Sequence, residues 1–167
     1  MTTRPRRTST PPAALAFDPL DEAMELLHFG FRRVVAGPDR LLATRGYGRV
    51  HHRIMFVVGR NPGLSVGDLL ALLGVTKQAI ASSLRRLVDD GIVSADASAD
   101  SRRRKSLVLT PTGAKFERRV SDLQRKRFAE AFARVGPSAE RGWRQVMDDL
   151  AEGGRLRVET LPPTARK

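Results

Sequence analysis

Residues 64–93 read LSVGDLLALLGVTKQAIASSLRRLVDDGIV, and the fold is decided in this stretch. Ser65 precedes a short apolar run, Val66 to Leu73, in which Leu69, Leu70, Leu72 and Leu73 are the packing residues of a helix. Gly74 ends that helix, because glycine suits the left-handed position just beyond a helix C-terminus. Thr76 then caps a second helix from Lys77 to about Asp90, its hydroxyl placed to accept from an otherwise unpaired backbone N–H. Two helices joined by a tight glycine-containing turn make a helix-turn-helix unit.

The two faces of the second helix differ in chemistry. At about 100° per residue, Leu84 and Leu87 fall close to Ile80 on one side, while Gln78, Ser82 and Arg85 fall opposite, flanked by Lys77 and Ala81. The exposed set is equipped for the major groove of DNA. Glutamine pairs with adenine, arginine with guanine and serine with either, and a small alanine lets the backbone approach a thymine methyl. Ser65, Thr76 and the helix N-terminus suit phosphate contacts.

Moving outward, Gly91 ends the second helix, Ile92-Val93-Ser94-Ala95 reads as a strand and Ser106-Leu107-Val108-Leu109 as its partner. Residues 96–105 between them end in the run Arg102-Arg103-Arg104-Lys105, so the hairpin has a basic tip. Helix, turn, helix and basic hairpin, in that order, is the plan of a winged helix. Upstream, Asn61-Pro62-Gly63 is a turn, preceded by a helix from about Gly48 to Arg60. Tyr47, Val50, Ile54, Val57 and Val58 share one of its faces and Phe56 points to another, the pattern of a helix buried between other elements. Asp18 caps a first helix expected from Pro19 to Ala36, with Gly37-Pro38 as its stop and Leu20, Met24, Leu27, Phe31 and Val34 as its apolar stripe. Downstream, Thr110 caps a long helix from Pro111 carrying Phe116, Val120, Leu123, Phe128, Phe132 and Val135. Gly136-Pro137 breaks it, and Ser138 opens a final helix with Trp143, Val146, Met147 and Leu150.

Composition agrees with a polyanion partner. The 167 residues carry a formal net charge of +12 and are 41% hydrophobic, which fits a folded domain whose Lys and Arg displace counterions from phosphates. Only 5% are aromatic, which argues against a stacking platform for single strands. There is no cysteine, so disulfides, thiolate metal sites and cysteine nucleophiles are excluded. No phosphate-cradling glycine loop and no credible serine-histidine-acid arrangement is present, so catalysis is not expected. No cofactor is expected either. The N-terminus lacks the apolar stretch of a signal peptide and no window spans a bilayer, so a cytoplasmic protein without membrane contact is expected.

The stretches Leu64 to Leu70, Leu73 to Ile80 and Leu84 to Val93, the basic wing, and Leu109-Thr110-Pro111-Thr112-Gly113 together resemble the MarR family of bacterial transcriptional regulators. The resemblance covers roughly residues 20–150. Ser101 stands where the family's wing pattern has an acidic residue before two basic ones, with Asp100 one place early. The resemblance implies a mainly α fold with a small β-hairpin wing, a winged helix-turn-helix flanked by N- and C-terminal dimerisation helices. It implies a homodimer on a pseudo-palindromic double-stranded DNA operator, acting as a repressor, and release of DNA by a small-molecule effector. The organisation expected is a disordered basic tail (1–16), an N-terminal dimerisation helix and loop (17–47), the DNA-binding domain (48–110), C-terminal dimerisation helices (111–153) and a loose tail (154–167). An architectural DNA-coating protein with little sequence preference is the alternative.

Of the histidines, His28 edges the first stripe, and His51 and His52 diverge by about 100° as helical neighbours, so no metal chelate within one chain is expected. Arg32, Tyr47 and His51 are the candidates to hold an anionic effector, with a structural role for the histidine as the competing reading.

Overall fold

A computed structural model describes residues 16, 18–97, 105–157 and 159, with backbone alone at 96, 97 and 105. The chain divides into two units, Met1–Arg32 and Arg33–Lys167. Among the described residues the elements are α1 (Pro19–Ala43), α2 (Arg49–Arg60), β1 (Leu64–Ser65), α3 (Val66–Leu73), α4 (Lys77–Asp89), β2 (Val93–Ala97), β3 (Lys105–Leu109) and α5 (Pro111–Leu150). The mainly helical fold with a small antiparallel sheet is the one expected from the sequence.

In the first unit, α1 begins as Asp18 dictates. Leu20 N donates to Asp18 Oδ1 at 2.8 Å and Asp18 N donates to Asp21 Oδ2 at 2.9 Å, a reciprocal cap. Leu20, Met24, Leu27 and Phe31 are exposed, and so are Leu26 and Phe29 on other sides of the helix. The apolar surface is therefore broader than one stripe.

In the second unit α1 continues where a stop was expected. Gly37 and Pro38 lie inside the helix, which runs on to Ala43. A proline inside a helix removes one hydrogen bond and costs about 3 kcal/mol. Here that cost is offset by burial, because Val35, Pro38 and Leu42 form a buried face.

The core is organised around α2. Ile54, Met55, Val57 and Val58 are all 0% exposed, and they pack with Leu69 and Leu73 of α3, Ile80 and Leu87 of α4, Leu107 of β3 and Phe116 and Val120 of α5. The expected face of α2 needs one correction. Val50 is 39% exposed, whereas Met55 and His52 are buried, because α2 is covered from several directions and its environment does not follow one stripe.

The sheet has the order β1-β3-β2, all antiparallel. Val93 pairs with Leu109, Ala95 with Leu107 and Ala97 with Lys105, as the hairpin reading requires. The third strand, β1, pairs Leu64 with Leu107. Two residues carry no alternation, so nothing in the local pattern announced it. The hairpin tip, 98–104, lies outside the described residues.

Caps set the remaining boundaries. Ser65 accepts from Asp68 N, Thr76 from Ala79 N and Thr110 from Gly113 N, and Gly74 is left-handed at φ 62°, ψ 37°. Gly136, at φ 86°, ψ 167°, interrupts α5, which realises the expected break before Ser138. Asn61 Nδ2 donates to the Leu156 carbonyl at 3.0 Å, holding part of the C-terminal segment against the α2–β1 turn.

Thr110 also fastens α5 to the turn between α4 and β2, its hydroxyl donating to the Gly91 carbonyl at 2.7 Å. The approach is close enough that a Cβ on Gly113 would lie 2.0 Å from the Ile92 carbonyl oxygen. Gly113→Ala should therefore destabilise the fold by more than about 2 kcal/mol through overpacking against backbone. Gly142→Ala, where nothing lies within 4 Å of the added carbon, should instead stabilise by up to about 1 kcal/mol as a helical glycine replaced. Urea denaturation of the two variants reads the contrast, and equal stabilities would contradict this packing.

Candidate nucleic-acid interface

α4 follows the Gly74 turn and is pinned from inside by Ile80 and Leu87, with Leu84 packed partly against the same core. That fixes which side faces out. Lys77, Gln78, Ser82 and Arg85 are exposed and Ala81 is half-buried. The structure thus gathers Lys77, Gln78, Ala81, Ser82 and Arg85 on one helix, with Thr76 at its N-terminus. The Thr76 hydroxyl accepts from Ala79 N at 3.4 Å, leaving the other first-turn N–H groups directed outward, as at any helix N-terminus.

Ser65 sits elsewhere, at the start of α3. Its hydroxyl is engaged in a capping box, donating to Asp68 Oδ2 at 2.8 Å and accepting from Asp68 N at 3.1 Å. Arg102, Arg103 and Arg104 lie outside the described residues. Lys105 is described by its backbone alone, paired with Ala97 at the end of the hairpin ladder.

Of the residues assigned to an effector, Tyr47 and His51 come together, their rings stacked at 4.9 Å and 17°. Arg32 is exposed and belongs to the first unit. The Tyr47 hydroxyl is already used, donating to Asp90 Oδ2 at 2.6 Å. Burial, then this hydrogen bond, push the tyrosine pKa up to about 12, and the same bond draws the Asp90 carboxyl below its ordinary value. His51 Nδ1 accepts from Gly48 N at 3.1 Å. Burial first, and the positive charge of Arg86 second, lower its pKa, so the ring is neutral at pH 7.

Sequence reasoning missed Arg45, Arg86 and Asp90. Arg86 pairs with Asp90 at 3.5 Å and donates to the Arg45 carbonyl at 3.0 Å, and the Arg45 guanidinium lies 4.8 Å from the Phe116 ring centre. The only available signal was an acid beside Gly91, where α4 ends. Its partner is 43 positions away in the chain. The cluster ties the entry to α2 to the C-terminal end of α4, the helix that bears the exposed polar face.

A helix-turn-helix whose second helix turns that face outward, backed by a small antiparallel sheet with a hairpin, defines a winged-helix DNA-binding protein. The MarR family model matches residues 45–104. The HTH-type transcriptional regulator PetP of Rhodobacter capsulatus is 40% identical over 138 residues, 83% of this chain and 83% of its own. The HTH-type transcriptional repressor Rv2887 of Mycobacterium tuberculosis is 31% identical over 94 residues, 56% of this chain and 68% of its own. The crystal structure of Rv2887 with salicylic acid superposes with a TM-score of 0.57 at 26% identity, covering 80% of this chain and 97% of that one. A MarR transcriptional regulator from Methanosarcina mazei reaches a TM-score of 0.66 at 18% identity over 83% of this chain and 92% of that one, a likeness of fold. The chain belongs to the MarR family of transcriptional regulators.

The Tyr47–Asp90 bond has a testable value. Tyr47→Phe removes the hydroxyl and keeps the ring stacking, so stability should fall by about 1 kcal/mol, or about 2–4 °C in melting temperature for a chain of this size. A melting temperature unchanged by the substitution would show that the bond does not hold α4.

Proposed function

We propose that the chain is a homodimeric, sequence-specific repressor whose α4 reads base edges in the major groove of a pseudo-palindromic operator. The observation that carries this is the division of α4 into a face buried at Ile80 and Leu87 and an exposed face of Lys77, Gln78, Ser82 and Arg85. In this reading Gln78, Ser82 and Arg85 contact bases, with Ala81 admitting close approach. Thr76, Lys77 and the α4 N-terminus take phosphates. Ser65 adds a phosphate contact through the start of α3, and Arg102, Arg103, Arg104 and Lys105 serve the wing at phosphates or the minor groove. The net charge of +12 supplies the general attraction to DNA on which such reading depends.

The dimer is supported by apolar surface that one chain leaves uncovered. The first unit exposes Leu20, Met24, Leu27 and Phe31, and α5 exposes Trp143, Val146 and Leu150 beside a cleft of about 680 Å³ lined by Phe128 and Phe132. Residues 17–47 and 111–153 are assigned to dimerisation and 48–110 to DNA. Release by an anionic aromatic effector near Tyr47 and His51 is supported by the Rv2887 complex with salicylic acid. No helix among the described residues is long and apolar enough to cross a membrane, which accords with action on cytoplasmic DNA.

The test compares Gln78→Ala and Arg85→Ala with the parent on duplex from the chain's own upstream region and on random duplex, at one fixed salt concentration. Each substitution should weaken operator binding by about 1–3 kcal/mol and leave random duplex nearly unaffected. Equal losses on both duplexes would mark an architectural protein instead.

A further inference from the structure

Besides the α4 face and the Tyr47 cluster, the described residues hold a line of buried polar groups between α2 and α5. His52, Phe56 and Arg60 follow one another at four-residue spacing on α2, and Glu117 and Ser121 do so on α5, so each set lies along one side of its helix. Arg60 Nη1 donates to Glu117 Oε1 at 3.1 Å, and its guanidinium lies 3.2 Å from the Phe56 ring centre. Ser121 Oγ donates to the same carboxylate oxygen at 2.5 Å. His52 Nε2 stands 3.3 Å from Ser121 Oγ.

Counting protons settles the direction of that last contact. The single hydroxyl proton of Ser121 is donated to Glu117, so the contact with His52 is a hydrogen bond only when His52 Nε2–H donates. The neutral ring then carries its proton on Nε2, and a second proton must enter at Nδ1. The charged groups facing the ring are Glu117 from α5, Arg60 from α2 itself and Asp39 from α1. Glu117 already serves Arg60 and Ser121, and Asp39 already holds Arg49 at 2.7 Å. A protonated His52 therefore adds a charge to a buried junction whose acids are engaged, which is costly unless water enters.

The junction sits where it matters mechanically. On its other sides α2 carries the core of the helix-turn-helix lobe, through Ile54, Met55, Val57 and Val58. α5 leaves that lobe toward the C-terminal arm. We propose that His52, Ser121, Glu117 and Arg60 are positioning residues that fix the angle of the DNA-binding lobe on α5, and that protonation of His52 releases that angle. Burial foremost, and Arg60 after it, hold the His52 pKa below its ordinary 6.5 against the opposing pull of Glu117 and Asp39. The packed arrangement is therefore fully favoured above that value and is lost as pH falls below it. The consequence for DNA binding rests on the function proposed above, whereas the joint itself does not.

The absence of cysteine allows two spin labels to be placed freely. Asp89→Cys on α4 and Lys126→Cys on α5 replace exposed residues, and labelled chains are diluted in excess unlabelled chain so that only the distance within one chain is read. Between about pH 7.5 and about pH 4.5, a window that reaches well below ordinary histidine titration, as the lowered His52 pKa requires, the distance distribution should broaden or shift while helical circular dichroism is retained. His52→Gln, whose amide donates to Ser121 but takes up no proton, should keep the pH 7.5 distribution at both values. Ser121→Ala should show the broadened distribution already at pH 7.5. An unchanged parent distribution, an equal shift in His52→Gln, or a Ser121→Ala distribution as narrow as the parent's would each overturn the proposal. None of these outcomes depends on DNA or on the oligomeric state.

Discussion

Helix α2 has to be enclosed, and most of the second unit follows from that constraint. Ile54, Met55, Val57 and Val58 are 0% exposed, and no single neighbour could cover four side chains that point in different directions around a helix. α3, α4, β3 and α5 each contribute part of the cover. Truncating Ile54 or Met55 to alanine costs about 2–5 kcal/mol, a large share of a typical domain's stability. The orientation of α4 is thus a by-product of closing the core. Ile80 and Leu87 must face α2, and whatever lies opposite them must face solvent.

That division separates stability from recognition. The residues assigned to DNA on α4 lie on its solvent side, so they are free to be chosen for base chemistry without loss of packing. The tie from Tyr47 to Asp90 and the cap at Thr76 hold the two ends of α4, which restricts the tilt that the exposed side chains inherit. Preorganisation of this kind reduces what must be ordered on binding. Buried polar groups are placed differently. Glu117, Ser121 and His52 lie at the α2–α5 boundary, where an apolar trio would pack at least as well. Their hydrogen bonds select one alignment of the two helices, which is what a lobe carried on a long helix requires.

Much of this was legible in the sequence wherever the determinant is local. The caps at Asp18, Thr76 and Thr110, the turn at Gly74 and the break at Gly136 were read from single residues, because each acts on backbone within a few positions. The two faces of α4 were read from spacing alone. Reading failed where the determinant is distant. α1 passes through Gly37-Pro38 because Val35, Pro38 and Leu42 find burial, which no local rule contains. β1 exists because Leu64 meets Leu107 across the sheet. Asp90 meets Tyr47, and Glu117 meets Arg60, across 43 and 57 positions respectively. The bond from the Tyr47 hydroxyl to Asp90 is one that spacing along the chain does not announce.

The central claim is that two copies of α4 read DNA in register. Hydroxyl-radical footprinting of the full chain on duplex carrying its operator tests this most directly. The account predicts two protected segments about one helical turn apart, centre to centre, related by a two-fold axis. Uniform protection spreading along the duplex, or a single protected segment, would contradict it.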